Sequence, residues 1–149
     1  WAAPATSGRT IVTLSSDVTN NNSTANTIAD VTGLSWSVGS GTTYHFYCLI
    51  DYTSAATTTG SRWSINGPAT SQLSYKSTYT LTATTLTTNY ASAYDSPSSS
   101  NATSLTAANI ATIEGILTPS TSGTVVVRFA SERSSSAITA KAGSTCEYW

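Results

Sequence analysis

Apolar and polar residues alternate along most of this chain, with a period of two. The densest stretch is 44–52. Taken every second residue, Tyr44, Phe46, Cys48, Ile50 and Tyr52 share one face of a strand, and His45, Tyr47, Leu49 and Asp51 share the other. β-Branched and aromatic side chains suit a pleated, half-buried surface. A strand apolar on one face and mixed on the other belongs in the middle of a sheet, so this stretch is the predicted core strand.

The same alternation places other strands. Ile11, Val12 and Leu14 mark a first strand over 10–15. Residues 33–38 turn Leu34, Trp36 and Val38 inward and Ser35 and Ser37 outward, and residues 61–66 do the same with Trp63 and Ile65 against Arg62 and Ser64. Leu73, Tyr75, Tyr79 and Leu81 share a face of the next strand, and 82–90 reads as its weaker continuation. Val125, Val127 and Phe129 oppose Val126, Arg128 and Ala130 over 121–132, and 137–148 returns as the last strand. Residues 107–117 fit two periods: Ile110, Ile113 and Leu117 suit a helix, whereas Ile110, Thr112, Glu114 and Ile116 suit a strand. Gly39-Ser40-Gly41 and Asn66-Gly67-Pro68 are turns. The stretch 17–30, with Asn20, Asn21 and Asn22, reads as a long polar connection of the kind that is functional or mobile. Residues 95–101 read as a flexible surface loop.

Eight or nine short strands with almost no helix predict an all-β fold, a jelly-roll-like antiparallel sandwich in a single domain over 9–149, preceded by an extended arm over 1–8. With eight strands starting near 10, 33, 42, 60, 70, 109, 122 and 137, jelly-roll wiring sets the third beside the eighth. Those strands carry Cys48 and Cys146. Two readings stay open: a buried free thiol at Cys48, or a disulfide between the two, for which the mid-strand Cys48 must find register with Cys146 near a strand end.

Composition changes the picture in one respect. Charged residues make up 9% of the chain, against about 25% in an average soluble domain. The net charge of −1 leaves no electrostatic footprint for nucleic acid or an anionic membrane. No stretch approaches the roughly 18 apolar residues of a membrane span. Four Trp, eight Tyr and two Phe in strand patterns argue against disorder. A hydroxyl-rich, nearly neutral surface favours association, so a subunit of a larger assembly is expected. The chain starts at Trp1 and contains no Met, as a processed product or a fragment would.

Candidate chemistry is sparse. His45 is the sole general base of the usual type, no Gly-x-Ser-x-Gly elbow accompanies it, and a strand histidine of this kind reads as a hydrogen-bonded packing residue. The acids Asp17, Asp30, Asp51, Asp95, Glu114, Glu132 and Glu147 form no recurring pair, although Asp51, Glu114 and Glu132 could meet near strand ends. One His and two distant Cys make a poor metal set, and no phosphate-cradling glycine loop occurs. No enzyme and no cofactor are expected. The sequons at Asn21, Asn22 and Asn101 matter only on a eukaryotic secretory path. The terminal aromatics Trp1, Tyr148 and Trp149 either tuck against the domain itself or anchor an interface with a neighbour.

Several segments taken in order resemble a Ser/Thr-rich β-domain of tailed-bacteriophage structural proteins. They are Asp30-Val31-Thr32-Gly33-Leu34-Ser35-Trp36, Gly41-Thr42-Thr43-Tyr44-His45-Phe46, and the run from Tyr52 to Gly60, followed by Asn66-Gly67-Pro68-Ala69, Ile113-Glu114-Gly115, Ser122-Gly123-Thr124 and Ala142-Gly143-Ser144. The likeness covers about residues 10 to 146. The ending departs from it: Thr145-Cys146-Glu147-Tyr148-Trp149 stands where an apolar strand would follow Gly-Ser. The resemblance implies a non-catalytic virion part (head decoration or cement, tail or fibre) on the particle surface. It also implies other virion proteins as partners, a homotrimer or other symmetric homo-oligomer, and no catalytic residues. The arm 1–8 and the segment 17–32 are the candidates for reaching a neighbouring subunit. A second class is a carbohydrate-binding or adhesive module with a glycan as partner, which requires Trp36, Trp63 or the terminal aromatics exposed in a row. The alternation points Trp36 and Trp63 inward.

Overall fold

The computed structural model describes residues 8–96 and 103–149. Residues 1–7 of the expected arm, Trp1 among them, the sequon at Asn101 and most of the loop expected over 95–101 lie outside the described residues. The strands are β1 (Thr10–Thr13), β2 (Val18–Asn20), β3 (Ala29–Val38), β4 (Tyr44–Ser54), β5 (Ser61–Asn66), β6 (Thr70–Thr82), β7 (Thr85–Ala91), β8 (Asn109–Pro119), β9 (Gly123–Ser131), β10 (Ile138–Ala140) and β11 (Thr145–Tyr148). Among the described residues there is no helix. Two antiparallel sheets face each other as a sandwich. The larger runs β1-β11-β4-β8-β6-β7, with β10 and β2 continuing it at one end of β4, and the smaller runs β3-β9-β5.

The expected neighbours, third strand and eighth, are β4 and β11: Cys48 stands opposite Cys146, and Phe46 opposite Tyr148. β10 and β11 are two halves of one bent strand, since both pair with β4, and β1 and β2 follow the same bend beside them. Counted as bent strands, those two pairs reduce the eleven segments to nine. The break at Lys141–Ser144 lets the Ser144 hydroxyl accept from the Asp51 amide and the Ser144 carbonyl accept from the Leu14 amide. Gly143 takes a positive φ of 93° there, a backbone region that suits glycine.

One open choice is decided and three expectations are corrected. Of the two periods that fit residues 107–117, the strand forms, as β8 over Asn109–Pro119: its even positions face out and odd positions, among them Ala111, Ile113 and Leu117, are buried. The stretch 82–90 does not continue the preceding strand: the chain reverses at Ala83 and Thr84, and β7 folds back on β6, with the Thr82 hydroxyl accepting from the Thr84 and Thr85 amides. The connection 17–30 contains β2 and is held down by Asn20, whose amide donates to the Thr27 and Phe129 carbonyls. Asp95, expected in a flexible loop, is fixed: its amide donates to the Ile65 carbonyl and its carboxylate accepts from Arg128.

The core lies between the sheets. Trp63 is sandwiched between Tyr52 and Phe129, with ring centroids 4.8 and 5.2 Å away, and donates its Nε1 hydrogen to the Ser61 hydroxyl. Trp36 stacks on Tyr148 at 5.6 Å and tilts against Phe46 at 5.7 Å. The Ser77 hydroxyl donates to the Trp63 carbonyl, tying the sheets together across this core. Cys48 is no free thiol: it is bonded to Cys146 in the floor of the large sheet, and both are fully buried. Register made the bond available, since a directly opposed antiparallel pair brings two Cβ atoms within about 4.5–5.5 Å.

Candidate interaction face

Because β4 is central and its odd-numbered residues point away from the core, the outer face of the large sheet can be assembled from register alone. One row reads Ile11, Glu147, Tyr47, Glu114, Lys76 and Tyr90 across β1, β11, β4, β8, β6 and β7. A second reads Thr13, Thr145, Leu49, Thr112, Thr78 and Thr88 across the same strands. Beyond it, Asp51 stands opposite Ile110 and Thr80 opposite Leu86. At the other end Trp149 pairs its backbone with His45, and His45 stands opposite Ile116.

The exposed large hydrophobic side chains of the described residues are Ile11, Leu49, Leu86, Tyr90, Ile110 and Trp149, and every one of them lies on this face. Tyr90 is 82% exposed and Leu86 64%. The face divides in two. Its aliphatic end carries Leu49, Ile110 and Leu86 among threonines, with Asp51 at the rim. Its aromatic end holds an open groove of about 820 Å³, lined by His45, Tyr47, Lys76, Tyr90, Glu114 and Trp149 among others.

Charge at the aromatic end is neutralised internally. Lys76 Nζ lies 2.6 Å from Glu114 Oε1 and Arg9 Nη1 lies 3.0 Å from Glu147 Oε1. The Glu114 hydrogen bond, and then its charge, raise the Lys76 ammonium above its ordinary pKa. Trp149 is held between two neighbours, His45 stacked on it at 5.6 Å and the Arg9 guanidinium 4.2 Å from its ring centroid. Gly115 lines the groove floor. A Cβ there would come within 2.3 Å of the Ser74 carbonyl oxygen and 2.5 Å of Tyr75 Cβ, so only glycine lets β6 and β8 close at this point. Beneath the floor, the Tyr75 hydroxyl reaches the Ser64 hydroxyl and donates toward the Ala93 and Ser96 carbonyls; burial raises its pKa.

The residues singled out in the sequence scatter. His45 is exposed and ring-stacked, where a hydrogen-bonded packing residue was expected. Asp51 and Glu114 share the outer face but lie about four residues apart along the strands, roughly 13 Å at the rise of a β-strand. Glu132 follows β9 in the other sheet, so the three acids do not converge. Among the described residues no three His, Cys, Asp or Glu side chains gather as a metal site. Asn21 and Asn22 are exposed. The aromatic tail splits: Tyr148 packs inward on Trp36 and Tyr44, and Trp149 faces out. Trp36 and Trp63 are buried, so neither offers a surface platform. Leu49, Tyr47, Tyr90, Ile110 and Leu86 escaped the sequence reading as a site, although the mixed outward face of the core strand, with Tyr47 and Leu49 on it, carried the signal.

No family model matches the chain, and no curated protein matches it.

Proposed function

We propose that this domain is a non-catalytic structural subunit of a tailed-bacteriophage virion, a head-decoration or cement protein or a tail or fibre component, that assembles with copies of itself. The observation that carries the assembly reading is the segregation of the exposed large hydrophobic side chains onto one sheet face. Such a patch on a soluble domain marks an interaction site. Copies of the chain are the occupants that fit its aliphatic end. Leu49, Ile110 and Leu86 sit among Thr78, Thr88 and Thr112, with charge only at the rim, at Asp51 and at the Lys141–Asp17 ion pair beside it, so a like face meets the uncharged centre with little charge repulsion. The virion assignment rests on the ordered likeness of residues 10 to 146 to phage structural β-domains. Binding of this kind should respond weakly to salt.

The test is the mass of the purified protein in solution by light scattering across a concentration series. A trimer or another closed oligomer is expected, falling to monomer in Ile110→Asp. A wild-type protein that stays monomeric at the highest concentrations overturns the assembly reading.

A further inference from the structure

We infer that the groove at the aromatic end of the outer face is a binding site for a neutral oligosaccharide. The site is separate from the aliphatic end used in the assembly reading, and the inference rests on that reading only in that assembly there leaves the groove open. It crosses β11, β4, β8, β6 and β7. Four strand spacings make roughly 19 Å, the dimension of an extended chain ligand, not of a single small molecule.

Ligand class follows from what the walls offer. The strands that form the floor are hydrogen-bonded to neighbours on both sides, β7 apart, so main-chain groups there are committed to the sheet. A peptide adding as an extra strand would find no ladder on this floor, and recognition must run through side chains. The side chains are of two kinds. Tyr90, on the rim strand and 82% exposed, presents a flat ring at almost no cost in lost packing. Tyr47 stands between Glu147 and Glu114 in one row, and Glu114 holds Lys76 at 2.6 Å. Carboxylates so placed keep acceptor lone pairs beyond the one each ion pair uses, and the ammonium keeps donors. This is a floor rich in fixed acceptors and donors, with no net charge, under an exposed aromatic face. A ligand with apolar C–H faces and many hydroxyls matches both features. A nucleic acid or sulfated chain would meet carboxylates with no surplus cation, and a lipid would bury ion pairs against hydrocarbon.

The probe is an array of neutral oligosaccharides, including gluco-, manno-, galacto-, xylo- and chito-hexaoses, followed by titration calorimetry on any hit. At least one neutral hexaose is expected to bind, with Trp fluorescence changing as Trp149 is approached. Tyr90→Ala and Glu114→Gln should each weaken that binding about tenfold or more. Tyr90 is so exposed that its removal leaves the fold intact, and circular dichroism checks this for both variants. Ile110→Asp should bind the sugar as wild type does even if it dissociates the oligomer, so the two readings fail separately. An array with no neutral hit, hits confined to anionic glycans, or a hit unmoved by both groove variants overturns the inference.

Discussion

The outer faces of the two sheets differ in how they meet water. On the small sheet, the centre of the face is Arg128. Its Nη1 donates to both Asp95 oxygens at 2.9 Å and its Nη2 to the Ile28 carbonyl. Asp30 Oδ1 lies 3.0 Å from Nε, off the hydrogen-bonding direction, and adds charge proximity only. Asp30 and Ser64 stand opposite Arg128 on the two flanking strands, Ser35, Ser37, Thr124 and Asn66 lie further along, and no exposed large hydrophobic residue joins them among the described residues. The large sheet reverses this balance: its ion pairs are single contacts, Lys76–Glu114 and Arg9–Glu147, and its exposed area is aliphatic and aromatic. A face built on a half-buried, three-way arginine is finished as it stands. A face that leaves Leu86 and Tyr90 in water keeps apolar area that a partner could cover, which is the ground of the proposed assembly.

The largest test of which side of β4 is inside compares adjacent residues. Phe46→Ala should cost about 3–5 kcal/mol, as for a buried aromatic, and His45→Ala less than about 1 kcal/mol, since it removes one exposed ring contact. Urea denaturation of the two variants reads the difference directly. Equal losses would mean that the inward and outward faces are wrongly assigned. Next comes the bond under the aromatic end. Replacing both Cys48 and Cys146 by Ala opens a link across 98 positions, which should cost about 2–5 kcal/mol. Thermal melts with and without reductant should separate wild type and leave the double variant unmoved.

Two ion pairs then sharpen the contrast between the faces. Arg128→Ala removes the cation shared by Asp95 and Asp30, leaving the Asp95 carboxylate with the Asn66 amide alone, and should cost about 1–3 kcal/mol. Lys76→Ala breaks a pair in which both side chains are 42% exposed, and should cost no more than about 1 kcal/mol. If the two losses are alike in denaturant, the small-sheet face is no more settled than the large one.

Much of this architecture was legible. Alternation found the inward residues of β3, β4, β5 and β9, and wiring brought Cys48 and Cys146 to neighbouring strands, because a period of two is a direct image of the pleat. Position within the sheet was harder. β2 is three residues long, and it is held by pairing with β10 and by Asn20 reaching Phe129 across the sandwich, contacts no local pattern encodes. The turn at Ala83 and Thr84 lacks glycine and asparagine, so nothing announced it; the Thr82 hydroxyl does the work that a special residue would. The candidate interaction face was missed for a related reason. Each exposed residue, Leu49 or Ile110 or Leu86, is unremarkable in its own strand, and only cross-strand register gathers them.

The smallest expected effect on stability bears most on the role of that face. Leu49→Thr with Ile110→Thr places β-branched residues, which suit strands, at both positions and removes apolar area that the single domain already leaves in water. Its melting transition should therefore shift by no more than about 0.5 kcal/mol in stability, whereas the solution mass should fall toward one subunit. A stability loss above about 2 kcal/mol would mean that these side chains belong to the packing of the subunit itself, and the difference between the two faces would lose its meaning. An unchanged mass with unchanged stability would leave the aliphatic end without a self-association role and move the search for its partner to a different protein.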